Sequence, residues 1–195
     1  MMSEFNPKQY GTAFAPLLAA APLNELGPGL PVPSAKQRLA ALASVDALTA
    51  AFAPHKILDQ FMTSACLAGL WLRYDFFDES HSISQDINSS TGSFWHGILH
   101  RREPDYGNAK YWFRHVGRHP IFASLREDAR ALAAESSSAE TDFLKEKSQW
   151  DPFAFVDFVA ETVRQQKNEQ LCREIQRREW ELLFDFSYRA AIGQT

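Results

Sequence analysis

The residues with the greatest capacity for chemistry are concentrated between Gly92 and Pro120. This stretch holds four of the six histidines of the chain, four of its arginines and a pair of acids, Glu103 and Asp105, separated by a proline. Imidazole and carboxylate groups exchange protons and bind metal ions, and guanidinium groups bind carboxylates and phosphates. We therefore expect the functional site in this stretch.

Two of the histidines have the spacing of a metal site on a helix. His96 and His100 are four residues apart and so lie on one helical face, with Glu103 about one turn further on. Two such imidazoles can share a divalent ion such as zinc, and a catalytic zinc takes a third protein ligand and keeps an open position. Glu79 or His81, from the preceding segment, can supply that third ligand. The glutamate that follows the first histidine of HExxH proteases is absent.

The same residues also permit acid–base chemistry without a metal ion. In this interpretation His100 is the general base and a carboxylate of Glu103 or Asp105 fixes its tautomer, so these three are the candidate catalytic residues. Apolar side chains occupy the other side of the helix, and the His/Glu stripe is therefore expected to face water or a cleft. No Gly-x-Ser-x-Gly motif is present to supply a serine nucleophile.

A third interpretation is the recognition of an anion. Guanidinium groups bind carboxylates and phosphates through two parallel hydrogen bonds, and amide and phenol groups add further ones. The alternative is that the arginines pair with acids elsewhere and the block is a buried polar network that holds helices together. The candidate ligand-binding residues are His96, Arg101, Arg102, Asn108, Tyr111 and Arg114.

The charge distribution restricts the partners. The net charge of −4 argues against a nucleic-acid binder, but residues 96–120 carry five basic against two acidic side chains. A basic region on an acidic protein attracts a small anion and repels polyanions. The chain has no apolar run of the roughly 18–20 residues that span a bilayer, and no basic segment precedes the Ala/Leu tract near its start. We therefore predict a cytoplasmic protein with no membrane or nucleic-acid partner.

The elements around the stretch are predicted to be helical. The segment His55–Asp78 is almost wholly apolar, which is typical of a central buried helix. Ser34 is expected to cap an earlier, alanine-rich helix, and His81–Ser93 is expected to be a polar loop. No alternating strand pattern is present. The fold class is therefore all-α, an irregular bundle of about six or seven helices.

Proline and aspartate mark the boundaries of the later helices. The short helix Phe94–Glu103 is expected to end at Pro104. Asp105 then caps a helix at Tyr106–Val116, and Asp151 before a proline starts another.

The chain divides into two parts by composition. Residues 1–33 contain six of the ten prolines, so they are predicted to form an extended arm packed on the body, and residues 34–195 are predicted to form a single helical domain. Such an arm can also cross to a second subunit, which leaves a homo-oligomer open. Cys66 and Cys172 lie in helical patterns and are expected to be buried free thiols.

The block Trp95–Phe113, which reads WHGILHRREPDYGNAKYWF, resembles a family of uncharacterised bacterial proteins with fungal relatives. The resemblance runs from about Leu70 to Phe122 and includes the ISQD run at Ile83. It implies that the WHxxxHRREPDYxNAxYWF pattern is the distinguishing feature of that family. No activity is established for the family, so the resemblance assigns no catalytic residue.

The sequence leaves three functions open, and with them the question of whether the protein is an enzyme. The first is a polar cleft at residues 92–120 that binds a small anionic or polyhydroxylated molecule, with His/Glu acid–base chemistry if it turns that molecule over. The second is a structural or partner-binding protein whose polar block is buried. The third is a metal-dependent hydrolase that uses His96 and His100.

Overall fold

A computed structural model of the chain describes residues 5–134, 136 and 139–195. Within these residues the protein is all-α, with eleven α-helices, two short 3₁₀ turns and no strand. None of these helices is long and apolar enough to cross a membrane. The helices are α1 (Gly11–Ala19), α2 (Pro33–Ala40), α3 (Val45–Ala51), α4 (Gln60–Arg73), α5 (Phe77–Ser84), α6 (Ser90–Arg102), α7 (Tyr106–Val116), α8 (Phe122–Leu132), α9 (Asp142–Glu146), α10 (Pro152–Gln165) and α11 (Glu169–Ala191).

The prediction of a central buried helix is confirmed by α4, which packs against α5, α6 and α11. Asp59 caps its first turn, and nearly every residue from Met62 onward is buried. Gly69 allows a close approach to α6, because a β-carbon at this position would lie 2.7 Å from the indole of Trp95. The indole N–H of Trp180 in α11 donates to the Gly69 carbonyl oxygen at 2.8 Å. Trp95 of α6 and Trp180 of α11 therefore both meet α4 at Gly69, and their rings contact each other with centroids 5.9 Å apart.

The helical corner around Pro104 forms as predicted. α6 starts at a Ser89 cap and ends at Arg102. Asp105 then caps α7, since its Oδ1 accepts from the backbone N–H of Asn108 at 3.1 Å. The two helices pack closely across Gly97, where a β-carbon would lie 3.1 Å from the ring of Phe113.

The polar segment His81–Ser93, predicted to be a loop, is mostly helical, so that prediction is wrong. α5 occupies its first residues and α6 begins at Ser90. The reason is a buried serine face on α5, where Ser80 and Ser84 are enclosed. The Ser80 hydroxyl donates to the Ala68 carbonyl oxygen of α4 at 2.9 Å. A helix can therefore pack on α4 there without a strongly apolar stripe.

Two further expectations for the first third of the chain are corrected. Ser34 does not cap α2, because Pro33 is already its first residue and Val32 stands at the cap. The alanine-rich segment is divided into α2 and α3, and this division contributes to a helix count above six or seven.

The N-terminal arm is not extended throughout. Residues 7–19 form a 3₁₀ turn and α1, which includes Pro16, and residues 1–4 of the predicted arm lie outside the described part. The side chains of Tyr10, Phe14 and Leu17 are buried in the main core. The Tyr10 hydroxyl also donates to Asp185 of α11 at 2.9 Å. The arm is thus packed on the helices, partly as a helix itself.

The two cysteines are buried free thiols, as expected. Burial raises the pKa of the Cys172 thiol to about 12 and that of Cys66 well above its usual value. A thiol with a raised pKa is a poor nucleophile at neutral pH. Neither cysteine is therefore suited to nucleophilic catalysis.

Candidate metal-binding site

Three histidines from two helices converge on one point. His81 comes from α5, and His96 and His100 come from α6. One ring nitrogen of each histidine lies within 4.8 Å of the corresponding nitrogens of the other two. Of Glu79 and His81, the two candidates for a third ligand, His81 is the one that lies in this converging group. Glu103 does not belong to the group either.

The imidazole rings are held in a compact stack. The rings of His96 and His100 are nearly parallel, with centroids 4.8 Å apart, as expected for positions one helical turn apart. His81 meets both rings edge to face, at 4.5 Å from His96 and 5.5 Å from His100. The indole of Trp112 in α7 covers the other face of His96 at 3.9 Å and an interplanar angle of 10°. His96 is thus clamped between two flat groups.

Both nitrogens of His100 have polar neighbours. Its Nδ1 lies 2.9 Å from Oε2 of Glu103, a short contact that is off the axis of the ring N–H bond. Its Nε2 lies 3.1 Å from the amide nitrogen of Asn108. An amide N–H donates, so Nε2 carries the lone pair and the proton lies on Nδ1, toward the carboxylate. Glu103 and Asn108 together select one tautomer of His100.

Burial keeps the imidazoles of α6 neutral. It lowers the pKa of His96 to about 3, with smaller contributions from the neighbouring His81 and His100. Burial also lowers the pKa of His100, although Glu103 acts in the opposite direction. The Nδ1 atom of His96 has no hydrogen-bond partner among the described residues. At neutral pH His96 and His100 therefore offer uncharged imidazole lone pairs, the form in which histidine binds metal ions.

The His/Glu stripe was predicted to face water or a cleft, and the first alternative is wrong for the histidines. His96 is 2% exposed and His100 is 7% exposed, whereas Glu103 at the end of the stripe is exposed. The reason is that α6 is buried on nearly all sides, with α5 and α7 covering the face that carries the histidines. The cluster reaches solvent chiefly along His81, which is half-buried.

Arg101 does not point toward a ligand, contrary to the prediction. Its guanidinium forms a two-point ion pair with Glu179 of α11, and both side chains are fully buried. Gln176 accepts a further hydrogen bond at 3.4 Å, and the ring of Phe155 lies under the guanidinium at 4.7 Å. The charge and most of the donors of Arg101 are satisfied inside the protein, so this arginine ties α6 to α11.

Arg102 is also buried and bonded within the protein, so its predicted role as an anion ligand is wrong too. It pairs with Asp75 and donates to the carbonyl oxygen of Leu72 at 2.9 Å. It also donates to the carbonyl oxygens of Glu25 at 3.3 Å and Gly27 at 3.1 Å. These bonds attach the non-helical part of the N-terminal arm to the end of α6.

The remaining candidate residues lie on the exposed side of α7. Asp105 is engaged as the helix cap, and Asn108 contacts His100. Tyr111 is 46% exposed, and the exposed guanidinium of Arg114 lies over its ring at 5.8 Å. Tyr111 also meets Trp112 edge to face, at 5.5 Å. A polar, accessible surface therefore borders the Trp112 ring that covers His96.

An open groove of about 510 Å³ runs beside the other edge of the cluster. Phe77, one turn before His81, lines it together with Glu103 and Asp105. The proline-rich part of the arm, around Gly29, forms the opposite wall. None of the three histidines lines this groove, and Glu103, which contacts His100, is the residue that connects it with the cluster.

Sequence reasoning missed two features of this site. His81 was considered as a ligand from a loop, but it is held on a helix, α5. Trp112 stacks on His96, an arrangement that the sequence did not predict. The spacing of Phe77, Ser80 and Ser84 was the available signal for α5, since positions three and four apart share a helical face.

Comparisons with protein-family models, curated proteins and solved structures found no match to this chain. The resemblance of the Trp95–Phe113 block to a family of uncharacterised proteins therefore stays a prediction. The chemistry of the site has to be argued from its own geometry.

Proposed function

We propose that the protein binds one divalent transition-metal ion of the zinc class through His81, His96 and His100. We further propose that it uses this ion to hydrolyse a small polar substrate. The observation that carries the proposal is the convergence of three imidazole nitrogens within 4.8 Å of one another. Three histidines with a fourth position left for water or substrate form a typical catalytic zinc site.

The cluster is within reach of tetrahedral coordination. Zinc–nitrogen distances of about 2.0–2.1 Å place tetrahedral ligand atoms about 3.3 Å apart. The nitrogens must therefore approach one another by up to about 1.5 Å, which rotations of the ring torsions supply. His81 is half-buried and free to make most of this adjustment, while His96 is fixed against Trp112.

The charge of the site favours a reactive ion. The converging ligands are three imidazoles, two of them kept neutral by burial, so an ion bound there keeps its full positive charge. Such an ion acts as a Lewis acid and lowers the pKa of a bound water molecule to about 7. Hydroxide then becomes available at neutral pH as the nucleophile of a hydrolysis.

Glu103 fits the role of a positioning residue. A histidine that binds a metal usually donates its other ring N–H to a carboxylate, which fixes the ring and raises its basicity. The carboxylate of Glu103 lies 2.9 Å from His100 Nδ1, close enough to take this role once it is aligned with the ring N–H bond. We therefore assign Glu103 to orienting His100 and not to binding the ion.

The substrate that we expect is small and carries an anionic or polyhydroxylated group. The groove beside Glu103 admits a small molecule, and Tyr111 and Arg114 offer a hydroxyl and a guanidinium at the other border of the cluster. Of Arg101, Arg102 and Arg114, Arg114 is the one that is exposed.

The experiment is metal analysis combined with a hydrolysis assay. Purified protein, loaded with zinc and freed of excess metal, is expected to retain one ion per chain by elemental analysis. It is then assayed with 4-nitrophenyl acetate and 4-nitrophenyl phosphate. His96→Ala and His100→Ala are expected to lose both the ion and the activity, whereas His115→Gln, which changes an exposed histidine outside the cluster, is expected to keep both.

A structural role is the second candidate, and one observation favours it. His96 stacks on Trp112 and His100 contacts Asn108, so the histidines already connect α6 to α7 without an ion. A purely structural network predicts that the alanine variants lose several kcal/mol of stability and that zinc leaves the melting temperature unchanged. A metal site predicts that zinc raises the melting temperature of the native protein but not that of the variants.

A further inference from the structure

Asn108 stands at the nitrogen of His100 that faces away from Glu103. Its amide nitrogen lies 3.1 Å from His100 Nε2, while Glu103 lies 2.9 Å from Nδ1. A histidine held through Nδ1 by a carboxylate presents Nε2 to a metal ion. The side chain of Asn108 is therefore next to the place that an ion on His100 takes.

The distance between the Asn108 amide and His100 Nε2 is compatible with two ligands of one metal ion. Nitrogen and oxygen ligands of a tetrahedral zinc ion are about 3.3 Å apart. The 3.1 Å between the end of the Asn108 side chain and His100 Nε2 is close to this spacing. The carboxamide has nearly the same shape after a half-turn about its last torsion, which exchanges the nitrogen for the oxygen.

We propose that Asn108 is a fourth, displaceable ligand of the ion. Its side-chain oxygen binds the ion after a half-turn of the amide group. The inference rests on the proposed function, because it requires an ion on the three histidines. Without metal, the amide N–H occupies the lone pair of His100 Nε2. With metal, the amide oxygen completes the coordination until water or substrate replaces it.

Asn108 is suited to this role by its place in the fold. It lies in the first turn of α7, where its backbone N–H is fixed by Asp105 at 3.1 Å. Its side chain takes no part in that cap, and the residue is half-buried. An amide oxygen is a neutral ligand, weaker than a carboxylate, so it can give way to an anionic substrate group without a large loss of binding energy.

The test is a cobalt titration followed by visible absorption, because the spectrum of protein-bound cobalt reports ligand type and geometry. The proteins are the native chain, Asn108→Ala, Asn108→Asp and Lys110→Gln. Lys110 lies on the same helix and forms an exposed ion pair with Asp157, so its variant is the matched control. Thermal melting of the four metal-free proteins verifies that each is folded.

We expect every protein to bind one cobalt ion, with shifted absorption bands in both Asn108 variants and native bands in Lys110→Gln. Above pH 7, Asn108→Asp is expected to bind cobalt at least about tenfold more tightly, because it replaces a neutral oxygen ligand with an anionic one. Asn108→Ala places water at the fourth position and changes the spectrum without abolishing binding.

Three results would overturn the inference. Native spectra and affinities in both Asn108 variants would mean that Asn108 is not a ligand, with the three-histidine site intact. Tighter binding by Asn108→Ala with a native spectrum would make Asn108 only a competitor for the lone pair. Failure of the native protein to bind cobalt would remove the proposed function and this inference together.

Discussion

The last seven residues of α6 include two arginines and two histidines, whose buried polar groups differ in how fully they are bonded. Arg101 and Arg102 are buried, and their charges are matched by Glu179 and Asp75. His96 and its neighbour His100 are almost equally buried, yet Nδ1 of His96 has no partner among the described residues. The arginines hold helices together, whereas the histidines include a ring nitrogen that forms no hydrogen bond.

The difference follows from the cost of burial. A guanidinium cannot lose its charge, so it is buried only with a matching acid and enough acceptors. An imidazole becomes neutral when buried, and a neutral ring with a free lone pair costs only about 1–3 kcal/mol. Chemical function is therefore to be sought at the histidines, and stability at the arginines.

The largest effect is expected from breaking the pair of Arg101 and Glu179. Arg101→Ala leaves a fully buried carboxylate without its partner, which costs about 3–5 kcal/mol of unfolding free energy. Urea unfolding followed by circular dichroism measures the loss.

The double variant Arg101→Met with Glu179→Leu removes both charges and is expected to recover most of that stability. If the single variant were as stable as the native protein, the pair would not be a structural tie, and the contrast with the histidines would fail.

The next largest effect concerns His119, a buried histidine outside the cluster whose nitrogens both have partners. Its Nδ1 accepts from the backbone N–H of Ile121 at 3.4 Å, and its Nε2 lies 3.2 Å from the Thr91 hydroxyl. Burial lowers its pKa to about 4. Between the unfolded value near 6.5 and pH 4, the unfolded chain takes up a proton that the folded protein does not.

The stability of the native protein is therefore expected to fall as the pH decreases through this window, by up to about 3 kcal/mol from His119 alone. Denaturant titrations from pH 7.5 to 4 measure the slope. His119→Gln should flatten the slope without abolishing it, since the pKa of His96 is also lowered. An unchanged slope in the variant would show that His119 is not held neutral.

A smaller effect of opposite sign is expected at His96. His96→Leu replaces a buried imidazole that has an unpartnered nitrogen with an apolar group of similar volume. The metal-free variant should therefore be as stable as the native protein or more stable by about 1 kcal/mol, while it loses zinc binding. A loss of 3 kcal/mol or more in urea unfolding would assign His96 to the structural class of Arg101.

The smallest effect is expected at Lys110, whose ion pair with Asp157 is exposed. Lys110→Ala should change the unfolding free energy by less than about 1 kcal/mol, because exposed pairs contribute little. A thermal melt at low and high salt measures this. A larger loss would mean that an exposed ion pair of this protein contributes as much to the unfolding free energy as a buried one.

Much of the frame around the site follows from local sequence signals. Pro104 ends α6, Asp105 caps α7, and the apolar run after Asp59 forms the central helix. Each of these depends on residues close in the chain, so sequence alone is sufficient. The spacing of His96 and His100 likewise predicts one helical face.

The rest depends on contacts between distant residues. The acids that bind Arg101 and Arg102 lie 78 and 27 positions away, and no local pattern pairs them. α5 packs on α4 through Ser80, whose hydroxyl donates to a carbonyl oxygen of α4, and no local sequence pattern predicts this contact. The position of His81 beside His96 and His100 depends on that same packing, so the sequence could not choose between His81 and Glu79.

The most direct test of the metal site is a zinc titration by calorimetry of the native protein, His81→Ala and His115→Gln. His81 is half-buried and comes from a different helix, so its removal leaves the α6 pair in place. The native protein and His115→Gln are expected to bind one ion per chain, and His81→Ala to bind it at least about 100-fold more weakly. Absence of binding by the native protein, or equal affinity in all three, would contradict a three-histidine metal site.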